Sequence, residues 1–367
     1  MNEINTAVQK PVIALVSEYP PPYAGMTVLA DKMLIELRAD LYNVIPVRTN
    51  FQFSGVFLLF DKIRGFRGLI RWLKFIYDCR NLKKVDIVHI FSSSGLNYIL
   101  FTVPVIYLSR VYKFKTIIHY HGGGAYEYFI KNKRLLSWSM DNIDRLVVPS
   151  GYLSEKFARL GYDSLIIPNH VDIDNFSFKP GDIKPVLLSV RNLTPVYNIS
   201  CTINAFKIVV DNYPDAILNI AGDGPEMSNL KLQAKQLGIE KNINFLGNLP
   251  NDKIPELFSK CSILINTPII DNMPGSILEA YACGLAVVST NVGGIPFIVN
   301  HGVTGMLSDS GDSNCLAKNI IYFIENKESA YEMISNARHF VENLSWGLVG
   351  KQWGELYNSL CQQIEKN

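Results

Sequence analysis

The chain has 367 residues, 48% of them hydrophobic and 19% charged, with a formal net charge of +2. This length exceeds a usual single domain, so we expect two domains of about 170 to 190 residues, each able to bury its own core. The longest apolar candidate, residues 96–108, falls short of the roughly 18 to 20 residues of a membrane span and contains Pro104, so we expect no segment that crosses a bilayer.

Apolar strands and helices alternate through the first half of the chain. The predicted strands are residues 12–16, 86–91, 116–120, 145–148 and 165–167. The predicted helices are residues 27–39, 96–108 and 152–160. Such alternation is typical of a parallel sheet that is covered by helices on both faces.

The second half of the chain restarts the same alternation. Its predicted strands are residues 186–190, 217–220, 243–246, 262–265 and 286–289. Between the halves, residues 171–185 contain Pro180 and Gly181 and show no periodicity, so we predict an interdomain linker there. The sequence therefore predicts an α/β protein with two doubly wound domains. The boundaries that we expect are residues 1–170, 186–345 and a closing helix at 346–367.

The cysteines favour a reducing compartment. The six form no C-x-x-C pair and no zinc-like spacing, and several lie in apolar runs: Cys79, Cys201, Cys261, Cys283, Cys315 and Cys361. Thiols in this arrangement are typical of a reduced, cytosolic chain. The first residues, MNEINTAVQK, lack the apolar core of a signal peptide, which also favours a cytoplasmic location.

One loop and the helix after it are the most informative part of the chain. Residues 266–274 are rich in helix breakers, and residues 275–283 fit a short helix that Gly284 stops. The first N–H groups of such a helix, near Gly275 and Ser276, have no acceptors within the helix. They therefore attract an anion such as a phosphate.

Two carboxylates flank this helix start, eight residues apart. Glu279 lies one turn inside the helix, where its carboxylate can hold hydroxyl groups, and Asp271 is expected in the loop on the other side of the phosphate. This layout suits a bound sugar nucleotide. The alternative is an ordinary loop followed by an amphipathic helix without a ligand.

The segment resembles the signature of retaining glycosyltransferases of family 4, in which two Glu residues flank seven others. Asp271 stands at the first Glu and Glu279 at the second. The resemblance implies that the first acid contacts hydroxyls of the transferred sugar, that the second binds the nucleotide ribose, and that backbone N–H groups between them hold the diphosphate. Pro274 has no N–H to donate. The donor-binding residues expected in this stretch are Asn272, Met273, Gly275 and Ser276.

This resemblance covers nearly the whole chain and implies the GT-B architecture, two Rossmann-like domains that face each other across a cleft. The first domain would bind the acceptor, the second the nucleotide sugar, and the last helix would pack back on the first domain. In open parallel sheets, ligands bind at the carboxyl ends of the strands. The candidate loops follow predicted strands in both halves, which agrees with this expectation.

Arg191 follows the first strand of the second half, where the family places an Arg on the donor diphosphate. A guanidinium suits phosphate oxygens because it donates two charge-assisted hydrogen bonds at once. Most relatives add a Lys about five residues later, but this stretch reads Pro195, Val196, Tyr197 and Asn198. One positive charge of the family pattern is therefore missing.

Two further turns of the second half resemble donor-binding segments of the family. The turn AGDGPE contains Gly222, Asp223 and Gly224, whose glycines would let backbone approach the ligand while Asp223 could cap the next helix. A glycine-rich turn of this kind is also common in any parallel sheet. Leu246, in NFLGNL, lies where the family backbone faces the nucleotide base.

The first half offers two candidate positions. Gly25 precedes a predicted helix and matches the glycine turn that the family places at the donor phosphates, although Met26 stands where relatives have a second glycine. His121 follows a buried strand and precedes three glycines, so it could touch the reacting sugar or the acceptor hydroxyl. A lone histidine is more often structural, and His119 is expected to be buried.

No metal is expected for this chemistry. The only Asp-x-Asp motif, VDID at residues 171–174, lies in the predicted linker. Arg191 and helix N–H groups would meet the charge on the departing diphosphate instead. The resemblance implies that the acceptor hydroxyl attacks from the face that the leaving group vacates, with a diphosphate oxygen taking its proton.

Basic residues concentrate in the first half, where residues 1–180 hold 22 Lys and Arg against 15 Asp and Glu. Residues 61–84 are basic, aromatic and amphipathic, which is typical of a segment that lies on an anionic membrane. The alternative is a packed helix with a solvated basic side. The residues that we assign to a membrane or acceptor contact are Arg64, Arg67, Arg71 and Lys74.

The sequence therefore predicts a retaining glycosyltransferase, cytoplasmic and peripheral on the membrane, that moves a sugar from a nucleoside diphosphate to a lipid-linked or oligosaccharide acceptor. Asp271, His121 and Arg191 are its expected catalytic residues, and no nucleic acid partner is expected. Two alternatives stay open: a sugar-nucleotide 2-epimerase with the GT-B fold, and a binding protein that has lost catalysis.

Overall fold

The computed structural model describes residues 10–21, 25–51, 66–178 and 180–365. The chain divides into two compact units, one formed by Met1–Pro168 with Val349–Asn367 and the other by Asn169–Leu348. Each unit is built around a six-stranded sheet whose neighbouring strands pair in parallel.

The first unit has the strand order β2-β1-β3-β4-β5-β6. These strands are β1 (Val12–Ser17), β2 (Asn43–Arg48), β3 (Ile87–Ser92), β4 (Lys115–Tyr120), β5 (Arg145–Val148) and β6 (Leu165–Ile166). Its helices are α1 (Gly25–Ala39), α2 (Phe66–Asp78), α3 (Val103–Tyr112), α4 (Ala125–Lys131), α5 (Lys133–Met140) and α6 (Gly151–Ala158). A 3-10 turn at Cys79–Lys84 follows α2, and a π turn at Tyr98–Thr102 precedes α3.

The second unit has the strand order β12-β11-β10-β7-β8-β9. These strands are β7 (Val186–Val190), β8 (Ile217–Ala221), β9 (Ile243–Gly247), β10 (Ile263–Asn266), β11 (Ala286–Thr290) and β12 (Met306–Ser308). Its helices are α7 (Ile199–Asn212), α8 (Met227–Gln236), α9 (Ile254–Ser259), α10 (Gly275–Cys283), α11 (Ser313–Glu325) and α12 (Lys327–Glu342). The last helix, α13 (Trp346–Glu365), crosses the boundary between the units at Val349.

Each sheet is buried on both faces, because successive residues of a strand point to opposite sides and both sides meet helices. In β7, Leu187 packs in the apolar cluster that contains α7 and α11, whereas Leu188 packs in the cluster that contains α10. Continuous apolar runs such as VIALVS in β1 follow from this two-sided burial.

The predicted fold class is confirmed, and every strand that was predicted is found within two residues of its predicted ends. Two strands were missed, β2 and β12. Pro46 interrupts the apolar pattern of β2, and proline is tolerated there because β2 lies at an edge of its sheet. β12 has three residues and also lies at an edge, so its pattern is too short to recognise.

The helix predicted at residues 96–108 is present as an unbroken helical segment that begins at Leu96 and contains a π turn. The π turn Tyr98–Thr102 leads directly into α3, which continues to Tyr112. Pro104 lies directly after the π turn, within the continuous helical segment, where its missing N–H and its ring interrupt the α-helical hydrogen-bond pattern.

The segment expected as a linker, residues 171–185, belongs to the second unit. Val171 and Phe176 are buried in the same apolar cluster as α10, and Ile183 is buried in the cluster on the other face of the sheet. Apolar packing therefore holds the described residues of this segment in place. The Pro and Gly residues hide this apolar pattern in the sequence.

The part of α13 from Val349 onwards belongs to the first unit. Trp353 and Tyr357 are buried there, and their rings pack against His89 of β3 at centroid distances of 4.5 and 6.1 Å. The C-terminal residues of the chain thus complete the core of its N-terminal unit.

Candidate functional site

The second sheet reverses its strand order between β7 and β10. From β7 the chain builds outward through β8 and β9, then returns to place β10 on the other side of β7, with Leu187 opposite Ile263. Ligands of open α/β sheets bind outside the carboxyl ends of the strands at such a reversal. Arg191 follows β7 and the loop with Asp271 follows β10, so both lie at this point.

The helix predicted at residues 275–283 is present as α10 with the predicted ends. Pro274 precedes it in an extended conformation, and no side chain caps the first turn. Ser276 in that turn is buried, and its Oγ atom has no hydrogen-bond partner among the described residues. The start of α10 therefore presents free N–H groups and a hydroxyl, which together suit an anion.

Arg191 is held in place by a buried amide. Its Nε donates to Asn266 Oδ1 at 2.8 Å, and Asn266 Nδ2 in turn donates to Ser289 Oγ at 2.9 Å. The guanidinium also lies over the ring of Tyr197, 5.0 Å from its centroid. Burial raises the pKa of Tyr197, and the charge of Arg191 opposes that rise. Tyr197 thus packs against the guanidinium in the stretch where the family pattern has a Lys.

Asp271 forms an ion pair with Arg191, an arrangement that the sequence did not suggest. Asp271 Oδ2 lies 2.8 Å from Arg191 Nη2, and its Oδ1 accepts from Asn272 N at 2.8 Å. Gly294 N donates to the main-chain oxygen of Asp271 at 2.9 Å. A side chain at Gly293 would place its Cβ 2.0 Å from that oxygen, so only glycine permits this approach.

The residues between Asp271 and α10 are buried. Asn272 and Met273 are 5% and 7% exposed. Asn169 Nδ2 donates to Met273 O at 3.3 Å, so this carbonyl already has a partner. Met273 therefore fixes the loop by packing. Glu279, one turn into α10, keeps part of its surface exposed.

The glycines of the AGDGPE turn are explained by packing within the protein. A Cβ on Gly222, whose φ is +135°, would lie 1.9 Å from Arg191 O, and one on Gly224 would lie 2.3 Å from Leu193 O. Asp223 does not cap α8, because its Oδ1 accepts from Gly224 N at 2.7 Å and α8 begins later, at Met227. This turn therefore supports the loop that carries Arg191.

Leu246 lies in β9 and is partly exposed, at 37%. The next residue, Gly247, accepts a hydrogen bond from Gly222 N at 2.8 Å. Leu246 is thus placed close to the carboxyl end of the sheet, where the sequence expected the nucleotide base.

Gly25 and His121 belong to the first unit, whereas Arg191, Asp271 and Glu279 belong to the second. Gly25 is the exposed first residue of α1, and a Cβ added there would meet no atom within 4 Å. His121 follows β4, and its main-chain N donates to Ser92 O at 2.9 Å. Both therefore lie at the carboxyl edge of the first sheet.

Comparison with known proteins identifies the family. The model for glycosyl transferases group 1 matches residues 172–340, and the model for Glycosyltransferase Family 4 matches residues 27–175. The chain belongs to family 4 of the glycosyltransferases. The expectation drawn from the signature around Asp271 and Glu279 is thereby confirmed at the level of the family.

Two relatives of this glycosyltransferase share part of its length. N-acetyl-alpha-D-glucosaminyl L-malate synthase from Bacillus anthracis is 32% identical over 156 residues, which are 42% of this chain and 40% of that protein. The gpi3 subunit of phosphatidylinositol N-acetylglucosaminyltransferase from Schizosaccharomyces pombe is 23% identical over 246 residues, which are 64% of this chain and 53% of that protein. The matches thus span about half or less of each relative.

A solved structure shares the GT-B fold of this glycosyltransferase over nearly its whole length. Anabaena HepE in complex with UDP-glucose superposes with a TM-score of 0.76 at 20% identity, over 95% of this chain and 99% of that chain. The two parallel six-stranded sheets described above are therefore those of the GT-B fold.

Beneath α13, the first unit of the glycosyltransferase contains a cluster of histidines. His89 Nδ1 lies 2.8 Å from Tyr357 Oη, and His89 Nε2 lies 3.2 Å from His119 Nδ1. The rings of His119 and His121 follow at 4.1 Å, and Phe91 stacks on His121 at 5.3 Å. His119 is buried as expected.

Burial sets the charge of these histidines. It lowers the pKa of His121 to about 3, and burial together with the nearby His121 lowers the pKa of His89 to about 3. His121 Nε2 is covered and has no hydrogen-bond partner among the described residues. Both imidazoles are therefore neutral at pH 7.

A small cavity of about 20 Å³ lies where the first sheet reverses its strand order, between β1 and β3. Glu18 lines it directly after β1, together with hydroxyl groups and two aromatic rings. The lining residues are Glu18, Met26, Thr49, Phe91, Ser92, Ser93, Asn97, Phe101 and Thr102. A volume of this size holds about one water molecule, so the cavity itself is too small to enclose a sugar.

The basic segment differs from its expected form. Arg64 and the side chain of Arg67 lie outside the described residues, and Arg71 is only partly exposed. Lys74 is paired with Asp78 one turn later in α2, so its charge is balanced within the helix. Among the described residues of the segment, Arg80, Lys83 and Lys84 in the following turn are exposed.

The described ranges contain neither a membrane-spanning helix nor a cluster of metal ligands. No helix in them is both long enough and apolar enough to span a membrane. No group of three or more His, Cys, Asp or Glu side chains in them is arranged to hold a metal ion.

Proposed function

We propose that this glycosyltransferase moves a sugar from a nucleoside diphosphate sugar to a hydroxyl of a lipid-linked or oligosaccharide acceptor, with retention of anomeric configuration. One observation carries the donor assignment: the buried, unpartnered hydroxyl of Ser276 in the first turn of α10. A buried polar group without a partner is costly. A diphosphate at this helix start supplies the missing partner.

The donor is held by the loops of the second unit. The N–H groups of Gly275 and Ser276 and the guanidinium of Arg191 bind the diphosphate, because all three are donors at the point where the strand order reverses. Glu279 binds the ribose hydroxyls. Backbone near Leu246 faces the base, while Gly222 and Gly224 support the loop of Arg191.

The chemistry needs charge stabilisation at the leaving diphosphate. As the bond from the anomeric carbon to the phosphate oxygen breaks, the charge that develops on the diphosphate is met by Arg191 and by the α10 N–H groups. The acceptor oxygen bonds to the same face of the anomeric carbon, and its proton passes to the departing phosphate oxygen. This route assigns no step to a metal ion and no proton transfer to a side chain.

The relatives suggest where a donor search should begin. One solved relative binds UDP-glucose, and the names of two sequence relatives describe transfer or attachment of N-acetylglucosamine. We therefore propose a uridine nucleotide sugar as the first donor to test. The unusual Asp271 in place of Glu argues for including several sugars, since this residue is proposed to face the sugar hydroxyls.

The acceptor is proposed to bind the first unit. The groups that line the small cavity at Glu18, a carboxylate and several hydroxyls, can form hydrogen bonds with hydroxyl groups of an acceptor. Gly25 and His121 lie at the same edge of the sheet. As a neutral imidazole, His121 can exchange hydrogen bonds with the sugar or with the attacking hydroxyl without adding charge.

The first unit is also proposed to lie against an anionic membrane. Leu69, Leu73 and Tyr77 form an exposed apolar stripe along α2, and Trp72 Nε1 donates to Leu100 O in the neighbouring π turn. Further exposed apolar side chains lie in the segment that contains the π turn and α3, at Leu96, Ile99, Leu100, Tyr107 and Val111. Apolar side chains flanked by the basic turn at residues 79–84 are typical of interfacial binding.

Vesicle binding tests the membrane proposal. Changing Leu69, Leu73 and Tyr77 together to Ser should weaken binding to phosphatidylglycerol vesicles at least tenfold, because each buried apolar side chain contributes about 1.5 to 3 kcal/mol. Leu232→Ser, at an exposed leucine of α8, is the matched control and should bind as the wild type does. Equal binding by the triple variant would exclude α2 as the membrane contact.

A donor panel tests the proposed reaction. Purified enzyme is incubated with uridine, guanosine and adenosine diphosphate sugars and with lipid or oligosaccharide acceptors, and NMR reads the configuration of the new bond. An α-linked product from an α-linked donor supports retaining transfer. An isomerised nucleotide sugar without acceptor would instead indicate the epimerase, and binding without turnover would indicate the protein that has lost catalysis.

A further inference from the structure

The proposed donor site contains two charged side chains that are paired with each other. Arg191 Nη2 lies 2.8 Å from Asp271 Oδ2, and the two side chains are 12% and 19% exposed. Asn266 fixes Arg191 through its Nε, and Asn272 N fixes Asp271 through its Oδ1. Both partners are therefore held in the positions that form the pair. Because little solvent reaches the two side chains, their attraction is only weakly screened.

A diphosphate at this site must compete with Asp271 for the guanidinium. Arginine binds carboxylates and phosphates through the same fork of N–H groups. The other arginine of the described second unit, Arg338, donates to Ala282 O near the opposite end of α10. Arg191 is thus the guanidinium available at the start of α10, and it is already ion-paired with Asp271.

We infer that Asp271 makes the enzyme distinguish a nucleoside diphosphate sugar from the free nucleoside diphosphate that remains after transfer. This inference rests on the proposed function. When a phosphate takes Arg191, the carboxylate loses its counter-ion while it remains mostly buried. Hydroxyls of the bound sugar compensate the carboxylate, whereas a free nucleoside diphosphate carries hydroxyls only on its ribose, which is proposed to lie at Glu279. The spent nucleotide therefore binds less well and leaves more readily.

The direct test compares two ligands on two proteins by calorimetry. Wild type and Asp271→Asn are titrated with UDP and with UDP-glucose, or with the nucleotide pair that the donor panel selects. Asn keeps the shape of Asp271 but releases Arg191, so UDP should bind about fivefold tighter to the variant, the gain expected from removing one partly screened ion pair. The nucleotide sugar should bind no tighter, because the variant also loses the carboxylate that accepts its hydroxyls.

A double-mutant cycle distinguishes competition for the Arg191 guanidinium from a general effect of the negative charge of Asp271. In an Arg191→Gln background, Asp271→Asn should give no gain in UDP affinity, because there is no guanidinium left to release. Asp215→Asn is the matched charge control: this exposed carboxylate precedes β8 at the other end of the sheet, and its removal should change neither affinity. Asp271→Glu, which retains the carboxylate, should keep the preference for the nucleotide sugar.

The outcomes are distinct. A gain for UDP that persists without Arg191, or an equal gain for UDP and the nucleotide sugar, would overturn the inference and leave the donor site intact. Unchanged UDP affinity in a folded Asp271→Asn variant would do the same. Failure of the wild type to bind any nucleoside diphosphate would instead reject the proposed function, and the inference with it.

Discussion

The two units place their polar side chains at different depths. In the first unit, His89, His119 and Tyr357 lie in the interior beneath α13, each no more than 2% exposed. In the second unit, Arg191 and Asp271 lie in loops at the carboxyl edge of the sheet and keep part of their surface exposed.

This difference separates two tasks. Polar groups buried among apolar neighbours bond to one another and change the stability of the fold when they titrate. Polar groups at a sheet edge remain accessible to a ligand. A neighbouring side chain can hold such a group in place, as Asn266 holds Arg191. The first unit should therefore respond to pH through its interior, and the second should respond to nucleotides through its edge.

The largest effect is expected from Arg191→Ala in the second unit. Turnover should fall about 100-fold or more, because charge on the diphosphate grows as the sugar bond breaks and one preorganised donor is lost. Arg191→Lys, which keeps the charge but not the fork, should recover part of the rate. Steady-state kinetics with the donor provide the measurement. A raised KM with unchanged kcat would mean that Arg191 binds the ground state and transition state alike.

Acid should act mainly on the first unit. Burial holds the pKa of His89 and of His121 at about 3, against about 6.5 in an unfolded chain. The unfolded state therefore binds more protons between these values, and stability is lost as pH falls from about 6.5 toward 3. At pH 5 the loss is about 2 kcal/mol for each histidine that titrates independently.

Urea unfolding at pH 7.5 and pH 5 measures this loss. Tryptophan fluorescence of a Trp346→Phe protein reports the first unit, because the other three tryptophans, Trp72, Trp138 and Trp353, belong to it. The variant His89→Gln removes one titrating group and should show a smaller difference between the two pH values. Identical unfolding midpoints for the wild type at both pH values would show that these histidines are not the acid-sensitive element.

Glu279 tests the ribose contact in the second unit. Glu279→Ala should weaken nucleoside diphosphate binding at least tenfold, since each charge-assisted hydrogen bond contributes about 1.5 to 3 kcal/mol. Affinity for inorganic pyrophosphate should not change, because the helix start and Arg191 remain. Equal losses for both ligands would place Glu279 at the phosphates rather than at the ribose.

The smallest and most selective effect is expected from Ser276→Ala. Because its Oγ is buried without a partner, removing it should leave the melting temperature of the free protein unchanged or slightly higher. Nucleoside diphosphate affinity should fall about two- to tenfold with the loss of one hydrogen bond. Ser313→Ala, in the first turn of α11, is the control. Unaltered affinity would remove the hydroxyl from the donor site.

Local sequence signals predicted much of the second unit. The ends of α10 were predicted correctly because Pro274 and Gly284 mark them, and the strands were predicted because continuous apolar runs are buried on both faces. By contrast, β2 was missed, since an edge strand tolerates Pro46. This error arises because the position of a strand in its sheet determines whether proline is tolerated, and the sequence does not reveal that position.

The site itself was predicted only in part. The ion pair of Arg191 with Asp271 joins residues 80 positions apart, and only the strand order, which sets β10 beside β7, brings them together. For the glycine at 222 the sequence left ligand approach and an ordinary turn open, and the structure adds a steric requirement, because a Cβ there would lie 1.9 Å from the carbonyl oxygen of Arg191. Contacts between loops of different strands depend on topology, so local patterns could not predict them.

Hydrogen exchange tests the central claim most directly, namely that a nucleoside diphosphate binds the second unit at the start of α10. Mass spectrometry compares the protein alone with the protein at saturating UDP, or at the nucleoside diphosphate that binds best. Peptides that cover residues 271–279 and the turn after β7 should exchange more slowly, because the N–H groups of Gly275 and Ser276 would donate to phosphate. Saturation of the protein without any change in these peptides would contradict the claim.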